Sequence, residues 1–416
     1  MPVIFLNRYF HPDHSATSQM LSELAFGLAA AGLDVRVIAS RQRYDDPGAG
    51  LPARETIRGV QVHRVATTRF GRSWLPGRAL DYLTFYLAAA WRLWRLARRG
   101  DVVVAKTDPP LLSVVAAPVA RLRGARLVNW LQDVFPEVAE ALHVGGRAGR
   151  LPFALLRRLR DRSLRAAAVN VVLGTRMAET LQRRGIPADR IRIVPNWADG
   201  AAVRPVAPAG NALRAAWGLD GCFVAGYSGN LGRAHEVDTL VDAMVRLQPT
   251  SPSARGGDAA DDPAIRFLFI GGGARTPQVQ AAVERHGLRN VRFEPYQPQQ
   301  RLAESLSAAD VHIVSLIPDL EGLIVPSKIY GIAAAGRPAV FVGDPDGEIA
   351  RMLAGHGIGV TVPPGDGERL AQVLTDLAAD PERCRAMGGR ARAVFEDRYD
   401  KPRAVAAWRE LLAGLA

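Results

Sequence analysis

Residues 310–338 read DVHIVSLIPDLEGLIVPSKIYGIAAAGRP, and this stretch carries the pattern that decides the fold. The apolar run Val311–Leu316 predicts a buried strand, and a loop containing Glu321 follows it. Pro326 and Ser327 favour a helix start there, because proline needs no N–H at that position and serine can cap. A strand, a loop and a small-residue helix in this order indicate one unit of a parallel α/β sheet.

The same alternation of apolar runs and helical patterns fills the rest of the chain. The further predicted strands are Val3–Leu6, Val35–Ala39, Asp101–Ala105, Arg126–Trp130, Val169–Leu173, Phe223–Ser228, Ile265–Ile270, Val291–Glu294 and Ala339–Val342. Ile191–Asp199 interrupts this pattern and is interpreted as a hinge. We therefore predict two facing, doubly wound, Rossmann-like α/β domains over residues 1–196 and 197–400. A C-terminal helix, residues 401–416, is expected to pack back on the first domain.

Length and composition are consistent with this organisation. A chain of 416 residues, 48% hydrophobic and 23% charged, suits two globular domains. It has no apolar run long enough for a transmembrane helix, and Met1–Leu6 lacks the features of a signal peptide. Its two cysteines are too few for a disulfide framework. We expect a cytoplasmic protein.

The net charge of +12 is unevenly distributed. Residues 1–200 hold 30 basic and 16 acidic side chains, whereas the remaining residues hold 23 and 25. Nearly all the basic side chains are arginines, since the only lysines are Lys106, Lys328 and Lys401. A basic first half suggests a partner that carries phosphates: nucleic acid, an anionic membrane or a lipid-linked substrate.

Three segments that follow predicted strands could bind a phosphorylated ligand. Lys328, beside the predicted helix start, suits a diphosphate, and Glu321 could accept hydrogen bonds from sugar hydroxyls. Gly226–Glu236 combines glycines with Arg233 and His235. Gly271-Gly272-Gly273 would let a ligand pass close to the backbone. Each segment taken alone could also be a surface turn.

Taken in order, these segments resemble a known family. Gly229-Asn230-Leu231, Gly271–Gly273, Phe293–Tyr296 and the stretch from Glu321 to Pro338 resemble the donor domain of retaining glycosyltransferases of the GT-B fold. The group resembled is family 4, and within it the bacterial O-antigen, lipopolysaccharide and exopolysaccharide enzymes. In the first half, Trp130–Glu137 resembles the family's cleft-lining segment, and Pro195–Asp199 resembles its hinge.

The resemblance implies a role for each matching residue. Glu321 would bind donor-sugar hydroxyls, Asp133 would lie on the acceptor side, and Lys328 would hold the donor phosphates. Arg233 matches no family position, but it lies between Asn230 and His235 and is taken as a further catalytic candidate that could supply charge to the phosphates. Other residues are implied in donor binding: Ser15, Thr17, Gly229, Asn230, His235, Gly271, Gly272, Gly273, Tyr296, Pro326 and Ser327. No metal or other cofactor is expected, because a helix start and a lysine can hold the diphosphate.

The chain departs from the family at three places. The second acid of the Glu-x7-Glu pattern falls at Ile329 or at Gly331, depending on the register, and neither can bind a ribose through a carboxylate. The family's Arg and Lys after the first donor-domain strand fall at Asn230 and His235. Ser15-Ala16-Thr17 replaces a glycine pair. These changes affect the identity of the donor more than the reaction type.

The charges suggest a mechanism for a retaining, metal-independent transfer. Cleavage of a nucleoside-diphosphate sugar leaves negative charge on the diphosphate, which fixed N–H groups and Lys328 would stabilise. The leaving phosphate itself could take the proton of the acceptor, which Asp133 would orient. Asp344-Pro345-Asp346 formally spells Asp-x-Asp, but the flanking glycines favour a turn rather than a metal site.

Two Arg-rich stretches, Tyr82–Arg99 and Arg147–Arg165, include aromatic and apolar residues. They suit docking on an anionic membrane surface, although core aromatics with solvated arginines would give the same pattern. The hypothesis is a peripheral protein at the inner face of the cell membrane. Its acceptor would be a polyprenyl-diphosphate-linked saccharide, and its donor a UDP-linked N-acetylated sugar, the latter implied by the resemblance alone.

Three other functions stay open at this point. A nucleotide-sugar epimerase would need acids and bases in the cleft but no lipid acceptor. A non-catalytic nucleotide-sugar-binding partner in polysaccharide assembly would explain the charges missing at Asn230 and Gly331. Nucleic-acid binding is permitted by the arginines, but no nucleic-acid module is recognisable, and no nucleic-acid partner is expected.

Overall fold

The computed structural model describes residues 1–71, 75–144, 150–248 and 265–415, which form two compact α/β units. The N-terminal unit comprises Met1–Asn196, Gly322–Ile324 and Lys401–Ala416. The C-terminal unit comprises Trp197–Glu321 and Val325–Asp400. Each unit is built on a largely parallel sheet, so the predicted α/β fold class is confirmed.

The N-terminal sheet has the strand order β3-β4-β2-β1-β5-β6-β7-β8. Its strands are β1 (Val3–Leu6), β2 (Val35–Ser40), β3 (Arg54–Ile57), β4 (Val60–Val65), β5 (Val102–Lys106), β6 (Arg126–Trp130), β7 (Val169–Val172) and β8 (Ile191–Ile193). Only the β3–β4 pair is antiparallel among these strands. In β1, Val3 pairs with Val35 on one side and Val102 on the other, and such doubly buried strands are apolar throughout.

The helices of this unit cover both faces of its sheet. They are α1 (Ala16–Ala30), α2 (Leu75–Leu96), α3 (Leu112–Arg123), α4 (Glu137–Ala141), α5 (Arg150–Ala166) and α6 (Thr175–Arg183). Side chains from α2, α3 and the sheet form one hydrophobic core that includes Phe85, Leu93, Ala116 and Val103. No helix among the described residues is long and apolar enough to cross a membrane.

The C-terminal sheet has six parallel strands in the order β11-β10-β9-β12-β13-β14. They are β9 (Phe223–Asn230), β10 (Ile265–Gly272), β11 (Val291–Glu294), β12 (Val311–Ser315), β13 (Ala339–Val342) and β14 (Gly359–Val362). The helices are α7 (Ala212–Ala216), α8 (Asp238–Arg246), α9 (Thr276–His286), α10 (Leu302–Ser307), α11 (Lys328–Ala334), α12 (Glu348–His356), α13 (Gly367–Ala379) and α14 (Pro381–Arg398).

The last helix, α15 (Lys401–Ala413), belongs to the N-terminal unit and packs on α1. The two helices approach closely at Gly27, where an added Cβ would lie 2.7 Å from Val405. Trp408 is fully buried, and its ring contacts those of Phe5 and Trp130. The C-terminal helix therefore completes the core of the N-terminal unit.

At three predicted segments the structure differs in detail from the sequence pattern. Ile191–Asp199 does not lie wholly outside the sheet, because its first three residues form the edge strand β8. Ser327 lies at the N-cap of α11, but its side chain makes no capping hydrogen bond.

The third concerns the aromatic residues of Tyr82–Arg99, which do not share one surface. Phe85 is in the core, and the Tyr86 hydroxyl donates a hydrogen bond to the carbonyl oxygen of Pro110, whereas Trp91 and Trp94 are exposed. Arg147, in the second Arg-rich stretch, lies outside the described residues.

Candidate functional site

In each sheet there is one pair of neighbouring strands from which the chain continues toward opposite edges of the sheet. Such a switch point forms a ligand crevice at the carboxyl ends of the strands. In the N-terminal unit this point lies between β1 and β5, and in the C-terminal unit between β9 and β12. Every residue predicted to bind donor or acceptor lies on the described part of the chain.

Glycines line the carboxyl ends of β9 and β10. An added Cβ at Gly271 would lie 2.6 Å from the carbonyl oxygen of Gly229, and one at Gly273 would lie 2.4 Å from that of Leu231. Gly271 and Gly273 have φ of +119° and +149°, which side chains rarely allow. Tyr296 packs over this turn, and its hydroxyl donates to the carbonyl oxygen of Gly272 at 3.4 Å. The glycines therefore keep the backbone close to whatever enters this edge.

Lys328, the first residue of α11, is the notable charged group of this crevice. Its Nζ is buried and has no hydrogen-bond partner among the described residues. It lies 3.7 Å from the centre of the Tyr227 ring. Burial lowers the pKa of the lysine to about 7. A buried ammonium that lacks an anionic partner is suited to receive one.

His235 does not add the positive charge suggested by its position. Its Nδ1 lies 2.6 Å from the carbonyl oxygen of Ser315, so Nδ1 carries the proton and donates it. Burial, and secondly the charge of Lys328, lower the pKa of His235 to about 4, which leaves the ring neutral near pH 7. Arg233 is exposed at the same turn, as is Asn230.

Glu321 and the Asp344–Asp346 segment lie next to the start of α12. The Glu321 carboxylate accepts a hydrogen bond from the backbone N–H of Glu348 at 2.9 Å, where the helix dipole favours negative charge. Asp344 and Asp346 form a turn closed by the backbone N–H of Asp346, with Arg351 paired to Asp346. Among the described residues, no group of three or more His, Cys, Asp or Glu is arranged to hold a metal ion.

In the N-terminal unit, β5 holds the start of α1 in place. The Nζ of Lys106 donates to the backbone carbonyl of Thr17 at 2.7 Å, and the Thr17 hydroxyl donates to Asp108 at 3.0 Å. Burial lowers the pKa of Lys106 to about 7. Asp13 accepts from both the backbone N–H and the hydroxyl of Ser15. The first loop is therefore fixed by buried polar contacts rather than by glycine geometry.

Asp133 follows β6 and lines a small cavity of about 30 Å³ together with Lys106 and Arg160. Its backbone forms an antiparallel bridge with Ile324. Burial raises the pKa of the carboxyl group to about 6, while a hydrogen bond from Thr107 opposes the shift. A carboxyl group with such a pKa can exchange a proton near neutral pH.

Two known protein families match consecutive parts of this chain. Residues 16–197 match "Glycosyl transferase 4-like domain", and residues 222–380 match "Glycosyl transferases group 1". The chain belongs to the family-4 glycosyltransferases of the GT-B fold. The first match spans the strands from β2 to β8 of the N-terminal sheet, and the second spans the whole C-terminal sheet.

Curated relatives of this glycosyltransferase cover most of its length. It is 29% identical to the probable glycosyltransferase WbjE of Pseudomonas aeruginosa over 80% of this chain and 79% of that protein. It is 26% identical to the putative colanic acid biosynthesis glycosyl transferase WcaI of Escherichia coli K12, over 89% and 90% of the two chains.

Solved structures of the same fold align over the whole chain. The sucrose-phosphate synthase of Thermosynechococcus elongatus aligns with a TM-score of 0.76 and 18% identity, over 100% of this chain and 99% of that one. Anabaena HepE in complex with UDP aligns with a TM-score of 0.71 and 16% identity, over the full length of both chains. These similarities establish the GT-B fold.

Sequence reasoning missed part of the polar framework of this glycosyltransferase. Lys106, Asp108, Asp13 and Tyr227 were not among the predicted site residues, although each contacts one of them. One signal was available, because lysine is rare in this Arg-rich chain and two of its three lysines are buried at these crevices.

Proposed function

We propose that this glycosyltransferase moves a sugar from a nucleoside-diphosphate sugar to a polyprenyl-diphosphate-linked saccharide, with retention of configuration and without a metal. The product would be a precursor of a cell-surface polysaccharide. One relative is named for colanic acid biosynthesis, and a protein of the same fold has been solved with UDP. A UDP-linked N-acetylated sugar is the proposed donor.

The buried Nζ of Lys328 is the observation that carries this proposal. An ammonium without a hydrogen-bond partner costs free energy in a folded protein, so its retention points to an anionic ligand. The glycines at Gly271 and Gly273 allow that ligand to lie against the backbone. A diphosphate meets both requirements, since it is doubly charged and narrow.

The chemistry follows from where charge develops. As the bond from the sugar to the diphosphate breaks, the leaving oxygen becomes negative, and a fixed ammonium stabilises it. Exposed Arg233 is proposed as a second cation at the same turn. Glu321 is proposed to accept hydrogen bonds from the sugar, since a carboxylate can accept several and Glu348 uses one.

Asp133 is proposed to orient the acceptor hydroxyl, while the leaving phosphate takes its proton. Above its pKa of about 6 the group is a carboxylate, which can accept a hydrogen bond from the acceptor hydroxyl and so orient it. Loss of transfer in Asp133→Ala, with donor binding retained, is the expected result. Unchanged transfer in that variant would contradict the role.

A lipid-linked acceptor would require association with the inner face of the membrane. The positive charge is concentrated in the half of the chain that forms the N-terminal unit, where residues 1–200 carry a net +14. Anionic lipids attract such a surface. The C-terminal half, at −2, gives no comparable attraction.

The test is incubation of the purified protein with a panel of nucleotide sugars and a polyprenyl-diphosphate-linked saccharide, followed by mass spectrometry. Transfer of a sugar, lost in Lys328→Ala, is expected. Isomerised donor without transfer would instead identify an epimerase. Binding without turnover across the panel would favour the non-catalytic partner, for which the absence of an acid at Gly331 is the supporting observation.

A further inference from the structure

Three neighbouring helices, α2, α3 and α5, lie side by side over one face of the N-terminal sheet. Their outer surface is called here the helical face. Among the described residues fourteen large hydrophobic side chains are exposed, and eight of these belong to the helical face. They are Leu80, Leu83, Leu87, Trp91, Trp94, Leu122, Leu155 and Leu159. The exposed apolar surface is therefore concentrated in one place.

Helix α2 is apolar on two sides. Its inner residues Phe85, Ala89 and Leu93 are fully buried. Its outer apolar residues are spaced three or four positions apart and form a single stripe, in which Leu87 is 65% and Trp91 63% exposed. A helix in water needs only one apolar side, so the second indicates an apolar environment outside the protein.

The charge of the helical face has one sign. The three helices contain eleven arginines and two aspartates. Asp81 is buried and paired with Arg8, and Asp161 is paired with Arg160. The outer residues combine the two properties directly, because Arg95 lies 5.8 Å from the ring of Trp91. The helical face thus presents arginines beside apolar side chains and no unpaired carboxylate among the described residues.

A groove of about 1120 Å³ runs along α3 and α5 within this surface. Its lining includes Leu122, Leu159 and several alanines, with four arginines: Arg121, Arg126, Arg162 and Arg190. No acidic residue lines it among the described residues. Guanidinium groups over an apolar floor match an anionic headgroup attached to hydrocarbon.

We propose that the helical face docks on a bilayer that contains anionic phospholipids, with headgroup phosphates bound in the groove. The proposal rests on the proposed function, because that function places the acceptor in a membrane. A second copy of the chain is disfavoured, since a symmetric contact would set the arginines of the two copies against one another. The bilayer meets both the apolar and the basic component of the surface.

The test uses the full chain and vesicles, without any nucleotide sugar. Sedimentation of the protein is measured with phosphatidylcholine vesicles and with vesicles that contain about 30% phosphatidylglycerol, which gives a strong negative surface potential. Binding to the anionic vesicles alone is expected. The double variant Leu87→Gln/Trp91→Gln should weaken vesicle binding by about tenfold or more, because it removes apolar area that docking would withdraw from water.

Two matched controls keep the result specific. Arg121→Gln/Arg162→Gln should weaken binding by about fivefold for each arginine removed, whereas Arg285→Gln/Arg289→Gln on the C-terminal unit should leave it unchanged. Ile193→Gln, at an exposed apolar residue that lies in β8 and not on any of the three helices, should also leave it unchanged. Thermal unfolding shows whether each variant is folded.

Wild-type protein that binds neither vesicle overturns the docking proposal, even if it transfers sugar to a soluble acceptor. A concentration-dependent dimer that the Leu87→Gln/Trp91→Gln variant abolishes would assign the face to a second copy instead. Vesicle binding without any transferase activity would contradict the proposed function and leave the docking surface standing.

A different observation supports a second inference, concerning the placement of Lys328. Tyr227 on β9 is 2% exposed, and its ring stacks on that of Phe269, which stacks in turn on that of Phe293. The edge of the same ring contacts His235, which the carbonyl oxygen of Ser315 holds in place. The ring beneath the lysine ammonium is thus held by Phe269 and by His235, and each of these is fixed in turn by a further contact.

We infer that Tyr227 is a positioning residue that holds the Lys328 ammonium over its ring until an anion binds. The negative face of an aromatic ring attracts a cation, and the attraction grows when both are desolvated. Burial, with a smaller contribution from the charge of Lys328, lowers the pKa of His235 and of His312 to about 4, so neither histidine repels the ammonium near neutral pH. The inference rests on the proposed function of Lys328.

Calorimetric binding of nucleoside diphosphates across pH 6–9 tests this role. Tyr227→Phe keeps the ring, and its affinity for the nucleoside diphosphate should lie within about twofold of wild type. Tyr227→Leu should bind about tenfold more weakly, and the pH at which its binding falls to half should be lower than in wild type. Phe269→Leu, which removes a ring that does not lie under Lys328, should lower stability without moving the midpoint. Equal midpoints in Tyr227→Leu and wild type overturn the inference, whereas no binding by wild type contradicts the proposed function.

Discussion

Two buried lysines with lowered pKa values stand at the two crevices, but they are used differently. Lys106 has a partner, the carbonyl oxygen of Thr17, and so fixes the backbone at the start of α1. Lys328 has an aromatic ring and no hydrogen-bond acceptor among the described residues. Lys106 therefore contributes to structure, whereas Lys328 is arranged for a ligand at the expense of stability.

Replacement of Lys328 by methionine should make the protein more stable. The variant removes a buried charge but keeps most of the side-chain volume, so the midpoint of thermal unfolding should rise by about 2–4 °C at pH 6. The pKa of Lys328 is about 7 in the folded protein and 10.5 in the unfolded chain. As the pH rises between these values the ammonium deprotonates in the folded protein, so wild type loses the free-energy cost of the buried charge. The gain should shrink by pH 10, as differential scanning calorimetry would show; a constant gain would be inconsistent with this explanation. Exposed Arg285→Met is the control.

Asp133→Asn should also stabilise the protein, with the opposite dependence on pH. Burial raises the carboxyl pKa from 3.8 to about 6, so wild type binds an extra proton when folded between these values and becomes less stable as the pH rises through them. The variant should unfold at a higher temperature at pH 8 and at the same temperature near pH 3.5. Identical unfolding curves at pH 8 would show that the carboxylate is better solvated than its contacts indicate.

At the scale of elements, glycines decide how closely helices pack. Gly27 of α1 faces Val405 of α15, whereas Gly389 in the middle of α14 has nothing within 4 Å of an added Cβ. The two positions share a residue type and a helical conformation but differ in surroundings. They form a matched pair for separating packing from helix propensity.

Gly27→Ala should destabilise the protein and Gly389→Ala should stabilise it. Overpacking against a β-branched side chain costs about 1–3 kcal/mol, more than the roughly 0.5–1 kcal/mol that alanine gains over glycine in a helix. Thermal unfolding followed by circular dichroism measures both variants. A higher unfolding temperature for Gly27→Ala would show that α15 moves to make room.

The predictability of elements and of site residues follows from the same physics. Strands buried on both faces, such as β1 and β13, are continuous apolar runs and were predicted within one residue. The β3–β4 hairpin escaped prediction, because residues 54–57 read RETI, with three polar residues and a single apolar one, in a strand at the edge of the sheet. Lys328 was found through its neighbours in sequence, whereas Tyr227 becomes important only through packing across three strands.

For the whole molecule, the charge asymmetry and the exposed apolar surface have a joint consequence. The excess of positive charge lies in the same unit as all but one of the exposed large hydrophobic side chains among the described residues. Nucleic acid can satisfy the charge but not the apolar side chains. A lipid surface can satisfy both.

The protein should therefore prefer anionic vesicles to DNA when the two compete. In about 0.15 M salt, exposed charges are screened beyond about 8 Å. A DNA duplex of about 30 base pairs should therefore fail to displace the protein from phosphatidylglycerol vesicles at equal phosphate concentration. Co-sedimentation with labelled DNA measures the partition. Transfer of most of the protein to the DNA would contradict the preference.

The N-terminal unit is not encoded by one continuous stretch of chain. It needs Gly322–Ile324, whose Leu323 carbonyl accepts a hydrogen bond from Val134, and it needs α15, whose Trp408 reaches the rings of Phe5 and Trp130. During synthesis, β1 and α1 therefore leave the ribosome hundreds of residues before their last partners. The N-terminal unit is therefore the first to be translated, but it can complete its core only after α15 has been synthesised.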